Sequence, residues 1–407
     1  MSQSTLVKYF RHSDTGAPTL TGAPGAIQAV LNACLVTGYN VSAVDSITRD
    51  GTTVTVTVSA GHGLEQGVVV AIAGADQAEY NGEHRITTTT ASTFEFELPE
   101  SQTPATPATG TIECRQAPAG WERAFVSGDS QRAAFRSTAV DATGFYLYVD
   151  DTNNQGTRRT GVKGYESMTD IDTGANPFPY SPEDDQWVWW YKGGDETTAR
   201  DWALIADDRL FWLYVNEGSH RLCCCGDLIS YLPVDNFCCV VGGSARNNDN
   251  AYFAPVAAIC EYNKTTTPGF YLARDWGGVG GGAPITTAYA PELVYAASNP
   301  LRDLYPRELG GNHNFAWPPT ATGGVISMPI SYVEIDKSTK APTLRAQAPG
   351  LRAPGHDEPF AVLEIIENGI SPARNYLVVP ARAPRNTDNY NPQRTGQMLI
   401  DITGPWR

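Results

Sequence analysis

Three groups of carboxylates stand beside aromatic or turn-forming residues: Asp150 with Asp151, Glu183 with Asp184 and Asp185, and Asp207 with Asp208. A glycosidase needs two carboxylates at a fixed separation across a sugar groove, one as acid and one as base or nucleophile. Trp187, Trp189, Trp190 and Tyr191 follow the second group and offer flat apolar faces on which a sugar ring stacks. Against that chemistry, Asp150-Asp151 and Asp207-Asp208 fall where an apolar run meets a polar turn. There Asp hydrogen-bonds the nearby backbone, and structural use is the expectation for each pair. Calcium at 150–156 finds no support either, because the spacing departs from the D-x-[DN]-x-[DN]-G loop.

Cysteines crowd one region: Cys223, Cys224, Cys225, Cys238, Cys239 and Cys260, with Cys34 and Cys114 apart. Neighbours on a strand point to opposite faces, which makes adjacent cysteines a poor disulfide framework. Structural zinc would use Cys223, Cys225, Cys238 and Cys260, with His220 the nearby imidazole. No C-x2-C pair supports it, and small apolar core residues are the expectation. The histidines His12, His62, His84, His220, His313 and His356 form neither H-x-x-x-H nor H-E-x-x-H. No G-x-S-x-G elbow is present. Catalytic, cofactor and metal sites are therefore all expected to be absent.

The 407 residues are 41% hydrophobic and 18% charged, with 39 Gly and 28 Pro, a profile of a β-rich chain with many turns. A net charge of −15 argues against nucleic-acid binding, which needs clustered Lys and Arg. No apolar run reaches the roughly 18 residues of a membrane-spanning helix, and no leader-like segment opens the chain, so folding in a cytosol is expected.

These residues need elements to position them. Ile27, Val30, Leu31, Cys34 and Leu35 mark one amphipathic helix ending near Gly38. From 46 to 113, strict alternation at 53–58 and 94–98 with glycine-rich turns predicts a self-contained antiparallel β module of about 65 residues. The module reads as an insertion into a main domain formed by 1–45 and 114–407. Runs at 132–137 and 144–150, and at 201–206 and 211–216, predict two hairpins. The second strands of both share a pattern, Phe145-Tyr146-Leu147-Tyr148-Val149 against Phe211-Trp212-Leu213-Tyr214-Val215, as central strands of a sandwich do. Segment 8–21 reads as polar and turn-rich, 277–282 as a flexible glycine loop, and 360–366, 376–379 and 398–402 as strands. A long exposed loop at 382–394 carries Arg382, Arg385 and Arg394, cations suited to an acidic patch on a partner. The expected fold is mainly β: a β-sandwich-like main domain, one flanking helix and an inserted small antiparallel β module.

Several segments together resemble tailed-bacteriophage virion proteins. They are Val7-Lys8-Tyr9-Phe10-Arg11-His12-Ser13-Asp14-Thr15-Gly16-Ala17-Pro18, Ala33-Cys34-Leu35-Val36-Thr37-Gly38-Tyr39, Gly164-Tyr165-Glu166-Ser167-Met168-Thr169-Asp170 and Asp401-Ile402-Thr403-Gly404-Pro405-Trp406-Arg407. The module is similar to a small β domain of phage tail proteins, through Gly61-His62-Gly63-Leu64, Glu79-Tyr80-Asn81-Gly82 and Ala108-Thr109-Gly110-Thr111-Ile112. The resemblance is weak over 265–355 and carries over no catalytic motif. It implies a non-enzymatic structural component of the virion, in the tail, tail tip or baseplate, assembled in the host cytoplasm as a symmetric homo-oligomer with other virion proteins. Two other functions are weighed beside it. One is binding of a host-surface glycan or receptor through Trp187, Trp189 and Trp190; the other is depolymerisation of an envelope polysaccharide by the acidic clusters.

Overall fold

Every residue of the strands Trp202–Ala206 and Leu210–Val215 is buried. A strand alternates its side chains between two faces, so apolar residues throughout require cover on both. Trp202, Leu204, Phe211, Leu213, Cys223 and Val241 enter one core. Ala203, Ile205, Trp212, Tyr214, Cys224 and Val240 enter another.

A computed structural model describes residues 4–153, 159–180, 187–216, 221–232, 234–235, 237–245, 270–287, 327–335, 342–354, 360–367, 373–382 and 395–407. The strands just named belong to a thirteen-stranded sheet. Its order is Lys8–Arg11, Trp202–Ala206, Leu210–Val215, Arg221–Asp227, Cys239–Gly242, Phe270–Arg274, Gly280–Thr287, Ser327–Ile335, Pro342–Pro354, Thr395–Asp401, Asn375–Arg382 and Ile365–Glu367. The short Ile229–Ser230 pairs with Pro342–Pro354 off that path.

A second sheet of seven strands runs Trp121–Val126, Arg132–Ser137, Tyr146–Asp150, Arg159–Asp170, Val188–Tyr191 and Ser244–Ala245, with Thr173–Phe178 paired to Arg159–Asp170. Its Phe135, Leu147, Val149, Val162, Val188 and Trp190 share the first core with the large sheet, which makes a β-sandwich. The helix Ala26–Leu31 continues in wider π turns over Asn32–Thr37, and Ile27, Val30, Leu31, Cys34 and Leu35 bury their stripe in that core. Both expected hairpins form, Arg132–Ser137 with Tyr146–Asp150 and Trp202–Ala206 with Leu210–Val215. Their similar second strands lie in different sheets, with Leu147 and Val149 in the same core as Leu213 and Val215.

Two four-stranded sheets occupy the span from Tyr39 to Gln116. One is Tyr39–Ala43, Gly110–Gln116, Val69–Ala75 and Gly82–Arg85; the other is Ser46–Asp50, Thr53–Thr57, Thr93–Glu97 and Thr88–Thr89. Ile47, Val54, Val56, Phe94 and Phe96 point inward and join the core on the large sheet's second face. Threonines and glutamates of the same strands pair on the opposite side, as Thr53 Oγ1 does with Glu97 Oε1 at 2.8 Å.

The strand Lys8–Arg11 is the seam between this module and the large sheet. On one side it pairs with Trp202–Ala206. On the other, Lys8 meets Glu83 at 3.0 Å, Arg11 meets Glu65 at 2.5 Å, and Tyr9 Oη donates to Gln66 O at 3.2 Å. Burial pushes the Tyr9 phenol up to about 12. Arg85 completes the seam. Its guanidinium donates to the carbonyls of Ser4, Gly67 and Val7 at 2.6–2.7 Å, and reaches those of Ile402 and Thr403 at 3.3–3.4 Å.

Four local expectations are corrected. Segment 8–21 opens with the strand Lys8–Arg11, because its apolar positions Tyr9 and Phe10 face two different cores. Gly280, Gly281 and Gly282 enter the strand Gly280–Thr287. A side chain on Gly282, where φ is 97°, would meet Pro179 Cα at 3.1 Å, so the glycines admit a neighbouring backbone. Of 360–366 only Ile365 and Ile366 are strand, in Ile365–Glu367, since Leu363 turns at φ 62°. Arg382 ends the strand Asn375–Arg382 opposite Thr395, outside any loop, while Arg385 and Arg394 lie outside the described residues.

Replacing Arg85 with Ala strands several carbonyls and should cost about 3 kcal/mol in chemical denaturation. Hydrogen exchange should rise at 402–404 and 4–8 in the same variant. Unchanged exchange there would show that the seam does not rest on Arg85.

Candidate functional site

The second sheet turns one face into the sandwich and carries an aromatic and cationic layer on the other. Alternation sends Leu147 and Val149 inward and leaves Tyr146 and Tyr148 outward. Phe125 stacks on Tyr146 at 5.8 Å, Tyr148 meets Tyr165 edge-on at 6.0 Å, and Trp187 stacks on Trp189 at 6.3 Å. Cations lie over the rings: Arg136 over Tyr146 at 5.2 Å, Lys163 over Trp187 at 4.3 Å and Arg159 over Trp189 at 5.5 Å. Arg136 also pairs with Glu122, and Arg132 with Asp172. Gly161 makes room for the tryptophans, since a Cβ there would stand 2.8 Å from the Trp187 ring.

Trp187 and Trp189 are thus brought together, and Trp190 is not. The same alternation turns Trp190 into the sandwich core, where its Nε1 donates to Gly242 O at 2.9 Å. Tyr191 is buried as well. A platform of three tryptophans does not exist; the outward pair is half-buried Trp187 and buried Trp189. Among the described residues the Trp189 indole N–H has no hydrogen-bond acceptor.

The carboxylates divide sharply. Asp150 Oδ1 accepts from the N–H and hydroxyl of Thr152 at 3.1 and 2.6 Å, the turn role expected of it. Asp207 Oδ1 accepts the N–H groups of Arg209 and Leu210 at 2.9 and 2.7 Å. Arg407 Nε binds the other oxygen at 3.1 Å. Glu183, Asp184 and Asp185 lie outside the described residues.

Asp151 departs from the turn reading. Neither it nor Lys192 exposes any side-chain surface, and the two form an ion pair. Asp151 also accepts the Thr160 hydroxyl at 2.5 Å and the Ile27 N–H at 3.0 Å, while Lys192 Nζ donates to Ala23 O at 2.8 Å. Burial outweighs the pair's mutual attraction. It pushes the Asp151 carboxyl up and the Lys192 ammonium down, both toward neutrality. No local sequence signal marks Asp151, because its partner lies 41 residues away.

The proposed zinc ligands are separated by the large sheet. Cys223 and Cys225 face the sandwich core, and Cys238 lies in the core on the opposite side. Cys260 and His220 lie outside the described residues. Among the described residues no group of three or more potential ligands comes together. Burial pushes the thiols of Cys224, Cys225 and Cys239 well up, the opposite of what a metal ligand or nucleophile needs. His62 is likewise structural: its Nδ1 accepts the Leu64 N–H at 2.9 Å and its ring packs edge-on against Phe94.

A cavity of about 320 Å³ is lined by Arg11, His12, Ser13, Asp201, Tyr214, Asn216, Val362 and Leu363. Sequence reasoning did not join these residues, which come from segments far apart in the chain. Both ring nitrogens of His12 face acceptors, Asp201 Oδ1 at 3.2 Å and Trp202 O at 3.4 Å.

The strand Arg159–Asp170 pairs with Thr173–Phe178 to make a hairpin tied to the large sheet. Glu166 accepts Arg274 Nε and Nη2 at 2.6 and 2.8 Å and Asn176 Nδ2 at 2.9 Å.

No protein-family model matches the chain, and no curated protein matches its sequence.

Arg274 holds the Glu166 carboxyl below its ordinary range. A depressed acid contributes stability above its unfolded pKa of 4.5 and loses it as pH falls through the folded value. Hydrogen exchange over 164–178 should therefore rise below about pH 4.5. Glu166→Gln should exchange faster at neutral pH and respond less to acid; equal acid responses in both proteins would remove this attribution.

Proposed function

We propose that the chain is a non-enzymatic structural component of a tailed-phage virion, of the tail, its tip or baseplate, assembling into a symmetric homo-oligomer through extended surfaces. The observation that carries this reading is the convergence at Arg85. Segments 7–18 and 401–407 and the module at 46–113, which resemble virion proteins in sequence, meet at one guanidinium. Pieces that are alike in sequence and also packed as one unit support descent of the whole scaffold from that class. The reactive-looking groups support it too: Asp150, Asp207, Cys223 and Cys225 serve turns and cores. A rigid body with a welded module suits repeated side-by-side packing, in which extended surfaces act and single residues do not.

The purified protein should run as a closed oligomer in light scattering, and phage particles carrying its gene should contain it by mass spectrometry. A monomer that is missing from particles sinks the proposal.

A second reading has one specific observation behind it. The ring of half-buried Trp187, stacked on Trp189 with Lys163 over it, offers an apolar face and a nearby cation to a polyhydroxylated ligand, as on a host-surface glycan. A glycan array should then give a signal that Trp187→Ala lowers about tenfold or more, a loss of roughly 1.4 kcal/mol. A blank array, or wild-type binding by the variant, removes it.

A further inference from the structure

Lys192 and Asp151, 41 residues apart in the chain, are in contact where no solvent reaches either side chain. Their neighbours Ile27, Val149 and Trp190 are fully buried in the sandwich core, so water is excluded from the pair. The hydrogen bonds around it distinguish the two carboxyl oxygens. Oδ2 accepts the Ile27 N–H at 3.0 Å. Oδ1 faces Lys192 Nζ and accepts the Thr160 hydroxyl at 2.5 Å. Nζ has a further acceptor in Ala23 O at 2.8 Å. An amide joining Nζ to Cγ would keep one oxygen and one N–H, and each already has its partner, Ile27 N–H and Ala23 O. The oxygen that must depart is the one that Nζ and Thr160 address.

From this geometry we infer that Lys192 and Asp151 condense within the folded chain to form an intramolecular amide, with loss of one water. The step balances without any added reagent. Lys192 ammonium passes a proton to Oδ1, leaving a neutral amine and a neutral acid. Burial favours that form on both sides, the carboxyl being pushed up and the ammonium down. Nζ then attacks Cγ, and negative charge gathers on Oδ2 against the Ile27 N–H, as in an oxyanion hole. A second amine proton moves to Oδ1 with the Thr160 hydroxyl as its partner, the Cγ–Oδ1 bond breaks, and water leaves. Three protons on the ammonium become one on the amide nitrogen and two on the water. Holding both groups in contact removes the entropy cost of bringing them together. The crosslink would close a loop that contains the strand Arg159–Asp170 and its hairpin, pinning the second sheet covalently to the segment behind Val188–Tyr191. This inference is independent of the virion reading and stands or falls by itself.

The test is the mass of the folded, purified full chain. Its intact mass should lie one water below the sequence mass, after allowance for the initiator methionine. A tryptic digest should contain a branched peptide joining Asp151 to Lys192, with no cleavage after Lys192. Lys192→Arg should restore the full sequence mass, and Thr160→Ala should leave a mixture of linked and unlinked chains. Because the wild-type digest is decisive, an unstable variant does not spare the inference. Full sequence mass with a linear Lys192 peptide overturns it, as does a water loss that maps to any other residue pair.

Discussion

A sheet that is apolar on both faces needs two covers, and the strands Trp202–Ala206 and Leu210–Val215 impose that demand on the whole molecule. The second sheet and the helix Ala26–Leu31 satisfy it on one side. On the other, the module shares a core with Ile330, Tyr332, Leu377 and Ile400 of the distant strands. Tryptophan fills both layers at a small polar cost, because five of the indoles find a carbonyl. Trp121 donates to Asp207, Trp190 to Gly242, Trp202 to Pro18, Trp212 to Pro349 and Trp406 to Asp401, all at 2.9–3.1 Å. The aromatic wealth that suggested a sugar platform is mostly the filling of a double sandwich.

Buried charges give this apolar body its specificity. A strand shifted by two residues keeps its apolar faces in place, so hydrophobicity alone does not fix register. Arg345, fully buried, is held by Glu334, by Asp235 at 3.1 Å and by the Arg274 carbonyl at 3.4–3.5 Å. Moving its strand by two positions would strand that guanidinium in the interior, a penalty of about 3–5 kcal/mol. Arg85 plays a similar part at the seam, and Asp151 with Lys192 behind the second sheet.

The fold was legible where a single period dominates. Alternation at 53–58 and 94–98 and the helical stripe from Ile27 to Leu35 depend only on which side of an element faces the core, which local sequence records. Lys8–Arg11 was missed because it is buried against two different neighbours, so both its apolar and its charged residues face protein. The candidate site was legible only in part. Trp187 and Trp189 emerge together because they are two residues apart, and that same spacing rule should have excluded Trp190. Asp151 carried a turn signature identical to that of Asp150. What separates them is a lysine 41 residues away, and no local pattern encodes that.

The seam at Arg85 also sets an order of events. The strands Ser46–Asp50 and Thr53–Thr57 pair across a short turn, and every other pairing within the module is complete once Gly110–Gln116 has been made. The bond from Arg85 to Ile402 spans 317 residues and forms only after the intervening chain has collapsed. During synthesis the module therefore pairs its own strands before the core it shares with the large sheet is complete. Its orientation on the body is among the last things the molecule acquires.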